Sequence, residues 1–199
     1  MCLLAVADGV GDGETAAEAA RWATLSVRRW FQHRLARDEP SGPVRFVGEL
    51  LGEVDRDVAK RASGAAGFRV SLAVALVPTG VRPGGEVAAV VGRIGATTGW
   101  VVRPSGPEPV FPARSTDPMP QGGAQQVRPV AVRDGEVLAV TSCGLAGRAQ
   151  PEQALPYLSS AWAVPPSPLR FLETVAVRRE DRVADRAAAV AWVGHFEPR

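Results

Sequence analysis

The chain reads as an α+β protein in which an antiparallel β-sandwich is flanked by helices, and its 199 residues are expected to form a single domain. Three observations predict this class. Two amphipathic helical patterns follow a first apolar strand; a long stretch of period-two alternation begins at Phe68; and helical patterns return near the C-terminus before one last apolar strand. Helices with one apolar face need a sheet to lie on, and sheets with two apolar faces pack against each other.

The elements follow in order. Residues 2–7 are a continuous apolar run of the kind a buried strand shows, closed by a glycine-rich turn over 8–13. Thr15 and Glu18 have capping-box spacing, and Ala16, Ala20, Ala23, Val27 and Phe31 recur at helical intervals opposite Glu18, Arg21, Arg28 and Gln32. After a break at 38–43, Val47, Leu50, Leu51, Val54 and Val58 form a second stripe, backed by Glu49, Glu53, Asp57 and Arg61. From Phe68 the period becomes two, with Val70, Leu72, Val74 and Leu76 alternating with Arg69, Ser71, Ala73 and Ala75. Residues 86–94 and 97–103 are the next strands, joined tightly at Gly95 and Ala96. Residues 104–126 are rich in proline and glycine without periodicity and read as a long surface loop or flap. Strands resume at 127–132 and 136–142, helical stretches follow at 151–162 and 167–178, and 187–193 close the chain as a strand. There is no internal repeat.

Composition narrows the function classes. With 46% hydrophobic residues and a formal charge of +2, the chain has the material for one sizeable core. Its 22 arginines and one lysine are dispersed among 21 acids and never interleave with aromatics, so no nucleic-acid partner is expected. Cys2 and Cys143 are too few and too far apart for a disulfide framework or a zinc knuckle, which points to a reducing cytoplasm. No apolar run approaches the length of a membrane span, and residues 1–7 lack the basic leader and length of a signal segment, so no membrane partner is expected either.

The most informative segment is Ala5-Val6-Ala7-Asp8-Gly9-Val10-Gly11. It places one carboxylate and a backbone carbonyl at the mouth of a buried strand, where a hard cation could be held. A bland alternative stands beside this, since an aspartate in a strand-end turn often caps the helix behind it. Asp12 and Glu14 are ordinary acids for a turn and a first helical turn. Cys143 reads as a small apolar filler on a buried strand, because no motif ties His33 or His195 to it. Both histidines read as solvated, and the five tryptophans as core or element-edge residues.

Taken in order, four segments and one further carboxylate resemble the metal-dependent type 2C (PPM) protein phosphatases. Ala7-Asp8-Gly9-Val10-Gly11 looks like the family's Ala-Asp-Gly-x-Gly motif. Residues 68–77 are similar to the strand that usually opens with Gly-Thr-Thr, with Ser71 at a threonine place. Val91 to Thr97 sits where the family has its Gly-Asp-Ser hairpin, and Gly135 to Leu145 looks like its Gly-Asp-x-x-Leu-Leu-x-Ser-Asp-Gly-Leu stretch. Asp185 looks like the carboxylate that opens the final strand. The resemblance implies a four-layer αββα fold and a pair of Mg²⁺ or Mn²⁺ ions that activate water for attack on a phosphoester. By position, Asp8 would bridge the ions, Gly9 would offer its carbonyl oxygen, and Asp185 would bind one ion from the far strand.

The departures are as informative. Cys143 occupies the place of the aspartate in Ser-Asp-Gly-Leu, Ala96 replaces the aspartate of Gly-Asp-Ser, and Arg186 follows Asp185 where asparagine is common. This sequence begins at the Asp8 strand, where the family has further strands bearing a phosphate-gripping arginine and an acidic pair. The resemblance therefore implies a short, degenerate member whose incomplete metal site leaves it catalytically impaired, a regulatory or binding module for a phosphoprotein or regulatory protein. The alternative is an active Mg- or Mn-dependent phosphoserine/phosphothreonine phosphatase whose N-terminus is missing from this sequence. An unrelated α+β interaction domain is the third reading.

Overall fold

A computed structural model of the chain describes residues 1–11, 13–37, 42–64, 67–80, 84–111, 117–120, 125–146, 156–176 and 186–194. Asp12, Asp185 and His195 lie outside the described residues. The elements run β1 (Cys2–Gly9), α1 (Glu14–Arg37), α2 (Pro43–Ala62), β2 (Val70–Val77), β3 (Glu86–Ile94), β4 (Thr98–Arg103), β5 (Gly106–Pro109), β6 (Gln126–Arg133), β7 (Val137–Thr141), α3 (Cys143–Ala146), α4 (Pro156–Ala161), α5 (Pro168–Ala176) and β8 (Ala188–Trp192). They build two antiparallel four-stranded sheets, A in the order β1-β2-β3-β6 and B in the order β5-β4-β7-β8. The architecture is α+β, a β-sandwich with helices on its outer faces.

The alternation in β2 explains the layering. All eight of its residues are buried. Val70, Leu72, Val74 and Leu76 face outward and join Ala19, Ala23 and Val27 of α1 and Val47, Leu50, Leu51, Val54 and Val58 of α2 in one core. The intervening Ala73 and Ala75 face sheet B, and with Ala89, Val91, Val101, Leu138 and Val140 they fill the space between the sheets. Large side chains thus meet helices and small ones let the sheets approach. On the far face of sheet B, Trp100, Val102, Val137 and Ala139 pack against Leu158, Trp162 and Val175 of the α4–α5 region. The two indoles buried on this face are satisfied: Trp100 Nε1 donates to Thr141 Oγ1 at 3.1 Å and Trp162 Nε1 to Thr174 Oγ1 at 3.1 Å.

Several sequence expectations are corrected. β1 continues through Gly9, so Asp8 lies within a strand opposite Ser71 and not in a turn or cap. Helix α1 starts at Glu14, one residue before the capping-box threonine, and the Ala17 N–H closes on the Gly13 carbonyl at 3.3 Å. The span read as a loop or flap, 104–126, contains β5, the fully buried Phe111 and Met119, and a bridge from Met119 to Val70. Its glycine at 106, with φ of 127°, turns the chain back so that β5 pairs with β4. Finally, residues 143–146 form α3, a short helix.

Two glycines are fixed by packing. A Cβ on Gly9 would strike the backbone of Ala16 in α1, which cannot withdraw without moving the helix. A Cβ on Gly92 would meet only side chains, Val47 Cγ1 at 2.5 Å and Leu51 Cδ1 at 2.9 Å. Gly92→Ala should therefore lower stability by ~1–3 kcal/mol, and Gly9→Ala by more, as read from urea denaturation midpoints. On α2, Asp55 is half-buried and its Oδ1 has no hydrogen-bond partner among the described residues; burial pushes its pKa above the ordinary 3.8. An acid raised on folding binds its proton more tightly in the native state, so the cost of its charge is present above the raised value and vanishes below the ordinary one. Asp55→Asn should raise Tm at pH 7, and that gain should shrink as the pH is lowered through 3.8.

Candidate metal centre

Polar residues are scarce between the sheets and gather at the ends, Arg103 with Glu136 at one and Asp8 at the other. Along the inner face of sheet A, Leu4 and Val6 of β1 precede Asp8, so strand alternation aims the Asp8 carboxylate into the sandwich at that end. Its cross-strand neighbour is Ser71, whose Oγ accepts the Ala96 N–H at 3.1 Å from the β3–β4 turn. From sheet B, β7 ends in Thr141 and Ser142, and α3 then starts at Cys143. The Cys143 thiol donates to Asp8 Oδ2 at 3.0 Å and the Cys143 N–H donates to the same oxygen at 3.3 Å. Ser142 clamps the approach to β8: its N–H donates to the Ala187 carbonyl at 2.9 Å, and its Oγ accepts the Ala187 N–H at 2.9 Å.

The segments that carried the sequence motifs are therefore brought together. Asp8 and Gly9 stand at the end of β1, Ser71 and Ala96 beside them, and Cys143 across the sandwich. The Gly9 carbonyl points away from β2, because the Val10 N–H bond to the Arg69 carbonyl puts even-numbered β1 residues in register with β2 and odd-numbered ones outward. Cys143 is not the apolar filler on a strand that its neighbours suggested; it opens a helix and its sulfur faces a carboxylate. Only its place in the motif signalled that position. His33 is exposed on α1, as expected. Arg93, buried on the inner face of β3, stacks over Phe111 at 4.8 Å and donates from Nε to Gln126 Oε1 at 2.8 Å, toward β6 and away from β1. Burial, with Arg128 nearby, holds its pKa below the usual guanidinium range.

The fold has counterparts among solved structures. The catalytic domain of the serine/threonine phosphatase PstP in complex with two manganese ions superposes with a TM-score of 0.62 at 14% identity, covering 87% of this chain and 79% of that one. RsbX in complex with magnesium gives 0.62 at 14% identity, covering 94% and 79%. The RsbU and RsbW domains of Rv1364c from Mycobacterium tuberculosis give 0.64 at 19%, covering 94% of this chain and 50% of that one. The fold is that of the PPM protein phosphatases. No family model matches the chain, and no curated protein does.

The donor set can be tested against the metals bound by those PPM-fold neighbours. A pair of Mg²⁺ or Mn²⁺ ions asks for several carboxylates and a near-octahedral shell of oxygen. Around Asp8 the described residues supply one carboxylate and one outward carbonyl, and Asp8 Oδ2 is already taken by two donors. Among the described residues no group of three His, Cys, Asp or Glu side chains could hold a cation. These residues do not fit a two-metal centre. Replacing the thiol by a second carboxylate should make the end of the sandwich dependent on a cation. Cys143→Asp is expected to lower Tm in chelator, because two carboxylates then meet at hydrogen-bond distance. Mn²⁺ should raise the Tm of this variant and leave that of the parent little changed.

Proposed function

We propose that the chain is a degenerate member of the PPM phosphatase family: a phosphatase-like domain with an incomplete metal site that serves as a regulatory or binding module in the cytoplasm. The observation that carries this reading is the Cys143 thiol donating to Asp8 at 3.0 Å. Where the family motif has an aspartate, this chain has a neutral donor. A thiol lends a hard cation neither an oxygen nor the compensating charge. What the site retains is at most one weak position for Mg or Mn at Asp8 and Gly9, with Asp185 as the remaining candidate ligand.

Neighbours sharing the fold lend support to a regulatory role. PppA of Pseudomonas aeruginosa, with a TM-score of 0.60 at 15% identity, is described as a key regulatory component. RsbU occurs beside RsbW in one chain. By analogy, the partner here would be a phosphoprotein or a regulatory protein that a phosphatase-shaped surface can hold without turning it over.

A second reading is an active Mg- or Mn-dependent phosphoserine/phosphothreonine phosphatase. The retained Asp8 and the outward Gly9 carbonyl favour it, and it needs carboxylates beyond the described residues. Hydrolysis of an aryl phosphate with Mn²⁺ separates the two. The purified chain is expected to be no faster than Asp8→Ala; a metal-dependent rate abolished by that substitution would establish the active reading instead.

A further inference from the structure

Charges on the two long helices are balanced in very different ways. Each of the four cations of α2 has an acid: Arg45 pairs with Glu49, Arg56 with Glu53, Lys60 with Asp57, and Arg61 with Glu18 near the start of α1. Helix α1 lacks such partners beyond its first turns. Its residues 19–37 hold five arginines and no acid. Arg34 reaches Glu49 of α2, whereas Arg21, Arg28 and Arg29 are exposed and form no ion pair among the described residues.

Two of these unpaired charges share a line with apolar side chains. At about 3.6 residues per turn, positions 21, 25, 28, 32 and 35 fall on one face of a helix. Here they are Arg21, Leu25, Arg28, Gln32 and Leu35, all exposed, with Leu25 at 39% and Leu35 at 56%. Ala19, Ala23 and Val27 occupy the opposite face in the core, so the stripe points away from sheet A. From Arg21 to Leu35 it runs about 21 Å, some four helical turns.

We propose that the outward face of α1 docks an acidic amphipathic helix of a partner protein, its carboxylates meeting Arg21 and Arg28 and its apolar residues covering Leu25 and Leu35. Charge complementarity sets the sign of the partner, since guanidinium groups left unpaired here repel a basic segment and attract an acidic one. The width of the stripe sets its shape. Alongside, α2 balances four cations with four acids, so the basic strip is about one helix wide, roughly 10–12 Å. A membrane surface or a nucleic-acid backbone spans more than that and uses exposed rings. The rings of α1 are half-buried: Trp30 and Phe31 pack on Phe46, and Trp22 is flanked by the Arg29 and Arg61 guanidinium groups. This surface takes no residue from the Asp8 end of the sandwich, so it stands whichever reading of that end holds.

Fluorescence anisotropy tests this on the full chain with a labelled helical peptide of glutamate, leucine and alanine, its glutamates and leucines on one face. The peptide should bind, less tightly as salt is raised, and its lysine-for-glutamate counterpart should not. Arg21→Glu combined with Arg28→Glu should weaken binding by about tenfold and let the lysine peptide bind instead. Its Tm should be unchanged, because neither side chain is bonded elsewhere among the described residues. Leu25→Ser with Leu35→Ser should also weaken binding, while Lys60→Glu on the balanced α2 should not. A parent that ignores the acidic peptide overturns the proposal, as does binding that survives the double reversal or falls equally with Lys60→Glu. Tighter binding to phosphatidylserine vesicles or duplex DNA than to the peptide overturns it too. Should the reversal variant fail to fold, Arg21→Gln with Arg28→Gln decides: unaltered affinity and salt dependence overturn the proposal.

Discussion

The centre of sheet A is buried on both faces, and this constraint sorts the polar residues between the sheets. Every side chain of β2 is enclosed, large ones beneath the helices and small ones between the sheets. A polar group in the middle of either layer would lose water without gaining a partner. Polar side chains that face the sandwich therefore collect at its ends, where turns supply backbone donors and acceptors. Ser71 takes the Ala96 N–H, Ser142 exchanges bonds with Ala187, and Asp8 takes the thiol and N–H of Cys143. Thr97 is the exception in this region, its buried Oγ1 having no partner among the described residues. The candidate site is thus a consequence of the layering: the end of the sandwich is where such groups can be satisfied.

How far this was legible in sequence depends on how local each cause is. The stripe on α2 and the alternation in β2 are local patterns, and both emerge as expected. The span 104–126 was misread because prolines ordinarily argue against a strand. On an edge the objection lapses, since the missing N–H of Pro107 and Pro109 faces away from β4 and no ladder bond is lost. Whether a proline faces in or out depends on register, which no local pattern contains. Cys143 fails to be read for a similar reason. Its flanks are apolar and small, whereas the carboxylate that defines its role lies 135 positions away in the chain. Only the ordered motif, which carries non-local information, placed the two together.

Gly9 shows how tightly the start of the site is tied to the fold. The strand must end directly against α1, close enough that a Cβ would collide with the Ala16 backbone. That approach brings the helix over the outer face of β1 and leaves the Asp8 side chain on the inner face. The position of the carboxylate is therefore set by packing on the opposite side of its own strand. Such a residue keeps its place through changes in its surroundings, because removing a neighbouring ligand does not relax the strand that carries it.

The replacement at 143 then has a definite physical meaning. Two facing carboxylates at the end of a sandwich repel unless a cation lies between them, so a carboxylate pair couples native stability to metal. A thiol opposite Asp8 reverses the requirement: it donates to the carboxylate, assisted by a backbone N–H. A cation approaching Asp8 must now displace these donors and finds sulfur where it wants oxygen. On the proposed reading, the thiol that weakens a metal position also gives Asp8 a partner without one.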